Sequence, residues 1–181
     1  MPYLHIPNVS VKARFATENG LRYRYRLEIT KACAPSGMKT ACVVMQNPSY
    51  AGETIADKSV QFMEKNVFER GLPEFAQVGR LIVVNQFAFI QTNAFQGLAH
   101  ENGSKNDRAI TDAIIESDIV IIAWGKSNRF EQRKEFVMNV LRSASPAKTL
   151  YMTRMHPSRG RYEGFIQPLS ISNALPAADS R

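Results

Sequence analysis

The sequence predicts an α/β protein: a three-layer α/β/α sandwich on a four-stranded parallel sheet, with a β-hairpin attached at an edge or a face. Three observations predict it. Four short runs are apolar almost throughout: ACVVMQ (41–46), RLIVVN (80–85), DIVIIAW (118–124) and KTLYM (148–152). Segments of helical periodicity separate them. The 181 residues suit one domain, and 44% hydrophobic with 22% charged residues is enough apolar material for a core.

The elements follow in order. Residues 13–30 predict a hairpin, because Asn19-Gly20 between two alternating segments is the strongest short hairpin signal. In its second strand Arg22, Arg24 and Arg26 would form a basic ladder on one face. Tyr23, Tyr25, Leu27 and Ile29 would pack on the other. Residues 31–39 form a loop of small residues, and 41–46 is the first buried strand. Residues 57–70 predict a helix with Asp57 as N-cap and Val60, Met63 and Val67 as its stripe; Gly71 and Pro73 end it.

After the strand at 80–85 comes a long segment, 86–103, of a length that is usually functional or mobile. Ser104 opens the next helix as a cap, with Asp107 three residues on and Ile110, Ala113 and Ile114 inward. The third strand, 118–124, leads to a helix over 128–143. That helix has Phe130, Val137, Val140 and Leu141 inward and Arg129, Arg133 and Lys134 outward. The fourth strand is 148–152. Residues 168–181, rich in Pro, Ala and Ser, predict a flexible tail. The chain is expected to be a single domain over 1–181, with its core at 41–165.

Composition narrows the function. No apolar run approaches the roughly 18 residues of a membrane span, so no membrane partner is expected. The start, MPYLHIPNVS, lacks the basic-then-apolar pattern of a signal peptide. Cys33 and Cys42 are too few for a cysteine-held metal centre, and two free thiols fit a cytoplasmic setting. No cofactor or metal is expected. The net charge of +7 is uneven. Residues 1–31 carry six Lys/Arg against two Glu, and 126–161 carry nine against two, around a mildly acidic middle. Two basic segments point to a polyanion, DNA or a nucleotide; the plainer reading is a solvated basic face.

In parallel sheets ligands bind beyond the C-terminal strand ends. Four segments stand there: Gln46-Asn47-Pro48-Ser49-Tyr50, Asn85-Gln86-Phe87, Trp124-Gly125-Lys126-Ser127 and Arg154 to Arg161, with His156 and Ser158 between. Asn47 either caps a turn or offers an amide to a ligand or a water; an amide cannot act as a base. Asn85 either braces the long loop or reads a nucleobase edge with its paired donor and acceptor. Trp124 is core or a stacking face, and Gly125 permits close backbone approach. His156 is the most interesting titratable group. Arg154, Arg159 and Arg161 around it could hold phosphates and would favour its neutral form.

These segments together resemble the uracil-DNA glycosylase superfamily. VVMQNPSYAG (43–52) is similar to its first motif, LIVVNQF (81–87) to the strand ending in the pyrimidine-reading Asn, IVIIAWGKSNRF (119–130) to its Trp-Gly segment, and RMHPSRGRYEGF (154–165) to its His-Pro-Ser loop. The Asn-Pro-Ser, Ala-Trp-Gly and His-Pro pattern also resembles a bacterial and phage family known as a domain of unknown function. The glycosylase resemblance implies cleavage of an N-glycosidic bond. Asn47 would position water and His156 would donate to the leaving base. Gln46, Ser49, Tyr50, Asn85, Phe87, Trp124 and Gly125 would hold the base, and Lys126, Arg154, Ser158, Arg159 and Arg161 the nucleic acid. Asn47 stands where most uracil enzymes have Asp, which implies slow chemistry, and Tyr50 stands where many have His. The other classes are a nucleotide- or nucleic-acid-binding module without chemistry and an enzyme on free modified nucleotides.

Overall fold

The apolar runs become strands because their side chains can be buried on both faces at once. In the computed structural model, which describes residues 3–170, β1 (Val9–Glu18) and β2 (Leu21–Lys31) form the hairpin. Asn19 and Gly20 at its tip both take the positive φ of a tight two-residue turn, 50° and 78°. β3 (Lys39–Met45), β4 (Val78–Asn85), β5 (Ile119–Ile122), β6 (Thr149–Thr153) and β7 (Ile166–Pro168) complete one sheet of order β1-β2-β4-β3-β5-β6-β7.

The sheet is seven-stranded and mixed, which corrects the expectation of a four-stranded parallel one. β4, β3, β5 and β6 are parallel neighbours. The hairpin joins at an edge, one of its two expected places: β2 pairs antiparallel with β4 and continues the sheet. β7, too short to carry a pattern, adds an antiparallel strand beside β6.

Alternation along the inner strands makes the layers. Ala41, Val43, Met45, Leu81, Val83, Ile119 and Ile121 pack with Val60 and Met63 of α1 (Lys58–Glu64), which runs on into a π-helical turn at Lys65–Glu69. Cys42, Val44, Ile82, Val84, Val120 and Ile122 face the other way. They meet Ile110 and Ile114 of α3 (Asn106–Ile115) and Val137 and Leu141 of α4 (Glu131–Ser143). A one-turn α2 (Ala99–Asn102) sits in the long 86–103 segment. No helix among the described residues is long and apolar enough to cross a membrane.

Three local expectations need correction. The basic ladder does not form, because β2 carries a bulge. Arg14 pairs with Arg26 and Phe15 with Arg24, so Tyr25 is an extra residue and the alternation breaks there. Arg24 and Arg26 are both buried and point to different neighbours: Arg24 to Ala51 and Asn85, Arg26 to Glu28 and Glu116. Ser104 does not cap α3; its N–H and hydroxyl instead donate to the Glu18 carboxylate at the hairpin tip, at 3.1 and 2.8 Å. The expected tail from 168 begins with Pro168 still paired in β7, and residues 171–181 lie outside the described residues.

Candidate functional site

The parallel strands deliver their following residues to one edge of the sheet. Beyond β3, β5 and β6 lies a cleft of about 670 Å3. Ten residues singled out in the sequence line it: Gln46, Asn47, Ser49, Tyr50, Trp124, Lys126, Arg154, His156, Ser158 and Arg159. Four others lie elsewhere. Asn85 is buried beneath the cleft, its Oδ1 accepting from Arg24 at 3.1 Å. Phe87 turns to a second cavity of about 600 Å3, where it packs edge-on against Phe130 at 4.9 Å. Arg161 is exposed and outside the lining. Gly125 is no lining group but a spacer. Its φ is +84°, and a Cβ there would lie 2.8 Å from the His156 backbone nitrogen.

His156 is held by its own loop. The side chain caps the turn Pro157–Arg159: the Ser158 N–H donates to Nδ1 at 3.2 Å, and the Ser158 hydroxyl lies 2.9 Å from the same nitrogen. A nitrogen that accepts an N–H bond carries no proton. The neutral ring therefore holds its proton on Nε2, by assignment from these bonds. Burial lowers the His156 pKa below its ordinary value; Asp57 pulls against that shift and Arg159 adds to it. At neutral pH the ring is an uncharged N–H donor. The loop is closed at its base, where the Arg154 N–H donates to the Phe165 carbonyl at 2.9 Å and β7 pairs with β6. Gly160 lets it lie on α1, since a Cβ there would meet the Phe62 ring at 2.4 Å.

Asn47 is fixed in orientation. Its Nδ2 donates to the Gln91 carbonyl at 2.7 Å, while Oδ1 has only the Gln46 amide, at 3.5 Å. The amide oxygen therefore remains available to accept from a water or a ligand. Gln46 is itself held by Asn128, whose Nδ2 donates to Gln46 Oε1 at 3.2 Å and Gln86 Oε1 at 2.6 Å. Tyr50 is 45% exposed at the mouth, and Trp124 is half-buried.

Of the lining residues to which the sequence gives no role at the site, two are buried and charged, Asp57 and Arg24. Asp57 was read only as a helix cap, and it is one: Oδ1 accepts from the Val60 N–H at 2.9 Å. It also lines the cleft, buried, near enough to Arg24 and His156 to act on both charges. Its signal was an acidic residue a short loop after the Asn47 strand end. Alternation places Arg24 on an exposed basic ladder, and nothing local to it signals otherwise. It lines the cleft floor with 1% of its surface exposed. Burial pushes its guanidinium down to about 10, against the pull of Asp57.

Among the lining residues Arg24, Lys58, Lys126, Arg154 and Arg159 are cationic and Asp57 alone is anionic. A concave, cationic cleft with two aromatic side chains, fixed amides, one carboxylate and one neutral N–H donor suits an anionic ligand that has a flat polar ring.

The chain matches the family described as Protein of unknown function (DUF1643) over residues 24–158 and belongs to that family. The matched span runs from Arg24 to Ser158, both of which line the cleft. No curated protein and no solved structure matches the chain.

Proposed function

We propose that this DUF1643 member recognises a nucleobase and hydrolyses its N-glycosidic bond slowly, in the manner of a DNA glycosylase acting on a damaged, mismatched or modified base. We read its mixed sheet as a variant of the uracil-DNA glycosylase superfamily fold and its working place as the cytoplasm. The observation that carries the reading is the joint presence of His156, Asn47, Trp124 and Asp57 in one cationic cleft.

In this mechanism the base stacks on Trp124 or Tyr50. As the C1′–N bond breaks, its electron pair goes to the base and positive charge develops on the sugar. The Nε2–H of His156 donates to the base and stabilises the developing anion. Asn47 Oδ1 orients a water against C1′. The water oxygen bonds to C1′, and its proton passes to the Asp57 carboxylate and on to solvent. The departing base takes a proton from solvent. Asp57 supplies the acceptor that an amide at position 47 cannot be.

A gel assay tests this with uracil-, hypoxanthine- and mismatch-containing oligonucleotides, alongside chromatography for free base released from modified nucleotides. Release that is lost in His156→Ala supports the mechanism. Binding without release in every substrate replaces it with a nucleotide-binding module. A second reading, an enzyme on free nucleotides, is favoured by one observation: a buried cation, Arg24, lines the cleft with no carboxylate bonded to it.

A further inference from the structure

Two arginines of β2 meet burial differently. Arg26, 9% exposed, is bracketed by carboxylates: its N–H groups donate to Glu28 Oε2 and Glu116 Oε2, both at 2.7 Å. Arg24, more deeply buried, has no such partner. Its two terminal nitrogens donate to neutral acceptors, the Ala51 carbonyl at 3.0 Å and Asn85 Oδ1 at 3.1 Å. Its Nε–H is buried with no acceptor among the described residues. Asp57 acts on it only through space, its Oδ1 being bonded to the α1 cap. A buried cation that lines a cavity, with an idle N–H and no carboxylate bonded to it, is short of anionic partners. Lys58, Lys126, Arg154 and Arg159 extend the same charge over the cleft.

We propose that the cleft floor at Arg24 is a phosphate-monoester site, and that the ligand is a free nucleotide carrying a terminal phosphate. A phosphodiester is tied to sugar on both sides and has two free oxygens, whereas a monoester is the end of its molecule. It also carries up to two charges and three free oxygens for the cations around the floor. With the phosphate at Arg24, the base lies toward Trp124 and Tyr50. This inference rests on the reading that the cleft takes a nucleotide, and within it favours the free nucleotide, the second reading above, over a base held in DNA.

Calorimetric titration of the full chain tests it with four probes: nucleoside 5′-monophosphates, the matching nucleosides, single-stranded oligonucleotides with hydroxyl ends, and inorganic phosphate. We expect monophosphates to bind at least tenfold tighter than nucleosides, inorganic phosphate to compete with them, and the oligonucleotides to gain nothing over nucleosides at 150 mM salt. Asn85→Asp then places a carboxylate on Arg24 with almost no change of shape. Its thermal midpoint should not fall, and its preference for monophosphate over nucleoside should drop at least tenfold. Equal binding of nucleoside and monophosphate by the natural chain overturns the phosphate site but leaves the nucleobase reading standing. So does a preference untouched by Asn85→Asp. Inorganic phosphate or a sugar phosphate binding as tightly as the nucleotides upholds the Arg24 site and overturns the nucleotide reading.

Discussion

Gly125 holds its place because His156 lies against it: a Cβ at Gly125 would stand 2.8 Å from the His156 backbone nitrogen and 3.1 Å from its Cβ. The loop after β5 thus sets the position of the loop after β6. Gly125→Ala meets this contact and a φ of +84° together. It should cost about 1–3 kcal/mol, the range for a strained backbone position. Base release should fall at least tenfold from displacement of His156. Urea melts and the cleavage assay check the two effects.

His156 gives the second prediction, and its sign follows from burial. The folded pKa lies below the ordinary 6.5, so the unfolded chain binds the extra proton first as pH falls. The stability contribution is complete above about pH 6.5 and is lost as pH falls below it toward the folded value. Activity that needs the neutral ring should fall only below that lower value. Arg159→Ala removes a cation that lowers this pKa, so the acid limb of the rate profile should move to higher pH. His156→Ala should reduce release by about 10² or more.

Asp57→Asn separates capping from chemistry. Asparagine caps a helix about as well as aspartate, so the loss in melting midpoint should be confined to the lost attraction for the buried Arg24 cation and be smaller than that of Asp57→Ala. The proton acceptor is lost, and turnover should fall by about 10² on the usual scale of general base catalysis. Equal losses of stability and turnover would reduce Asp57 to a cap.

His5 and Glu64 form a buried pair outside the cleft lining, with side chains 8% and 0% exposed. His5 Nδ1 bonds to Glu64, and Nε2 donates to the Gly52 carbonyl at 2.8 Å. Burial alone would lower the His5 pKa, but the hydrogen bonds to Glu64 and Gly52 outweigh it and the pKa is raised. The stabilisation is therefore full below about pH 6.5 and disappears as pH rises through the folded value. Glu64→Gln should abolish this dependence and cost about 3–5 kcal/mol at low pH, the range for breaking a buried pair. Melts at acid, neutral and alkaline pH check it.

Much of the architecture was legible because parallel strands buried on both faces must be apolar throughout. The runs containing Val43, Ile82, Ile121 and Leu150 gave the inner strands directly. The strand-end rule then brought Asn47, Trp124 and His156 to one cleft. It missed with Asn85 because alternation along β4 turns that side chain into the α1 layer, under Arg24. Arg24 itself was hidden by the bulge at Tyr25. Local alternation spaces Arg22, Arg24 and Arg26 as a surface ladder; Arg22 is exposed, while Arg24 and Arg26 are buried against residues distant in sequence, Ala51 and Asn85 for the one and Glu116 for the other. Ser104 was misread for a similar reason: its competing partner, Glu18, is distant in sequence.

β7 contributes no side chain to the cleft lining, yet it is one of the two posts between which the His156 loop is strung. A chain ending at residue 165 would keep every lining group and lose that post, along with the three pairings to Tyr151, Met152 and Thr153. Loop and terminus would become one freely ended segment, and the imidazole would no longer be offered at a fixed point. A chain ending at 170 keeps both posts. The boundary between keeping and losing the post thus falls within a few residues, outside any motif that a comparison of active-site sequences would consult.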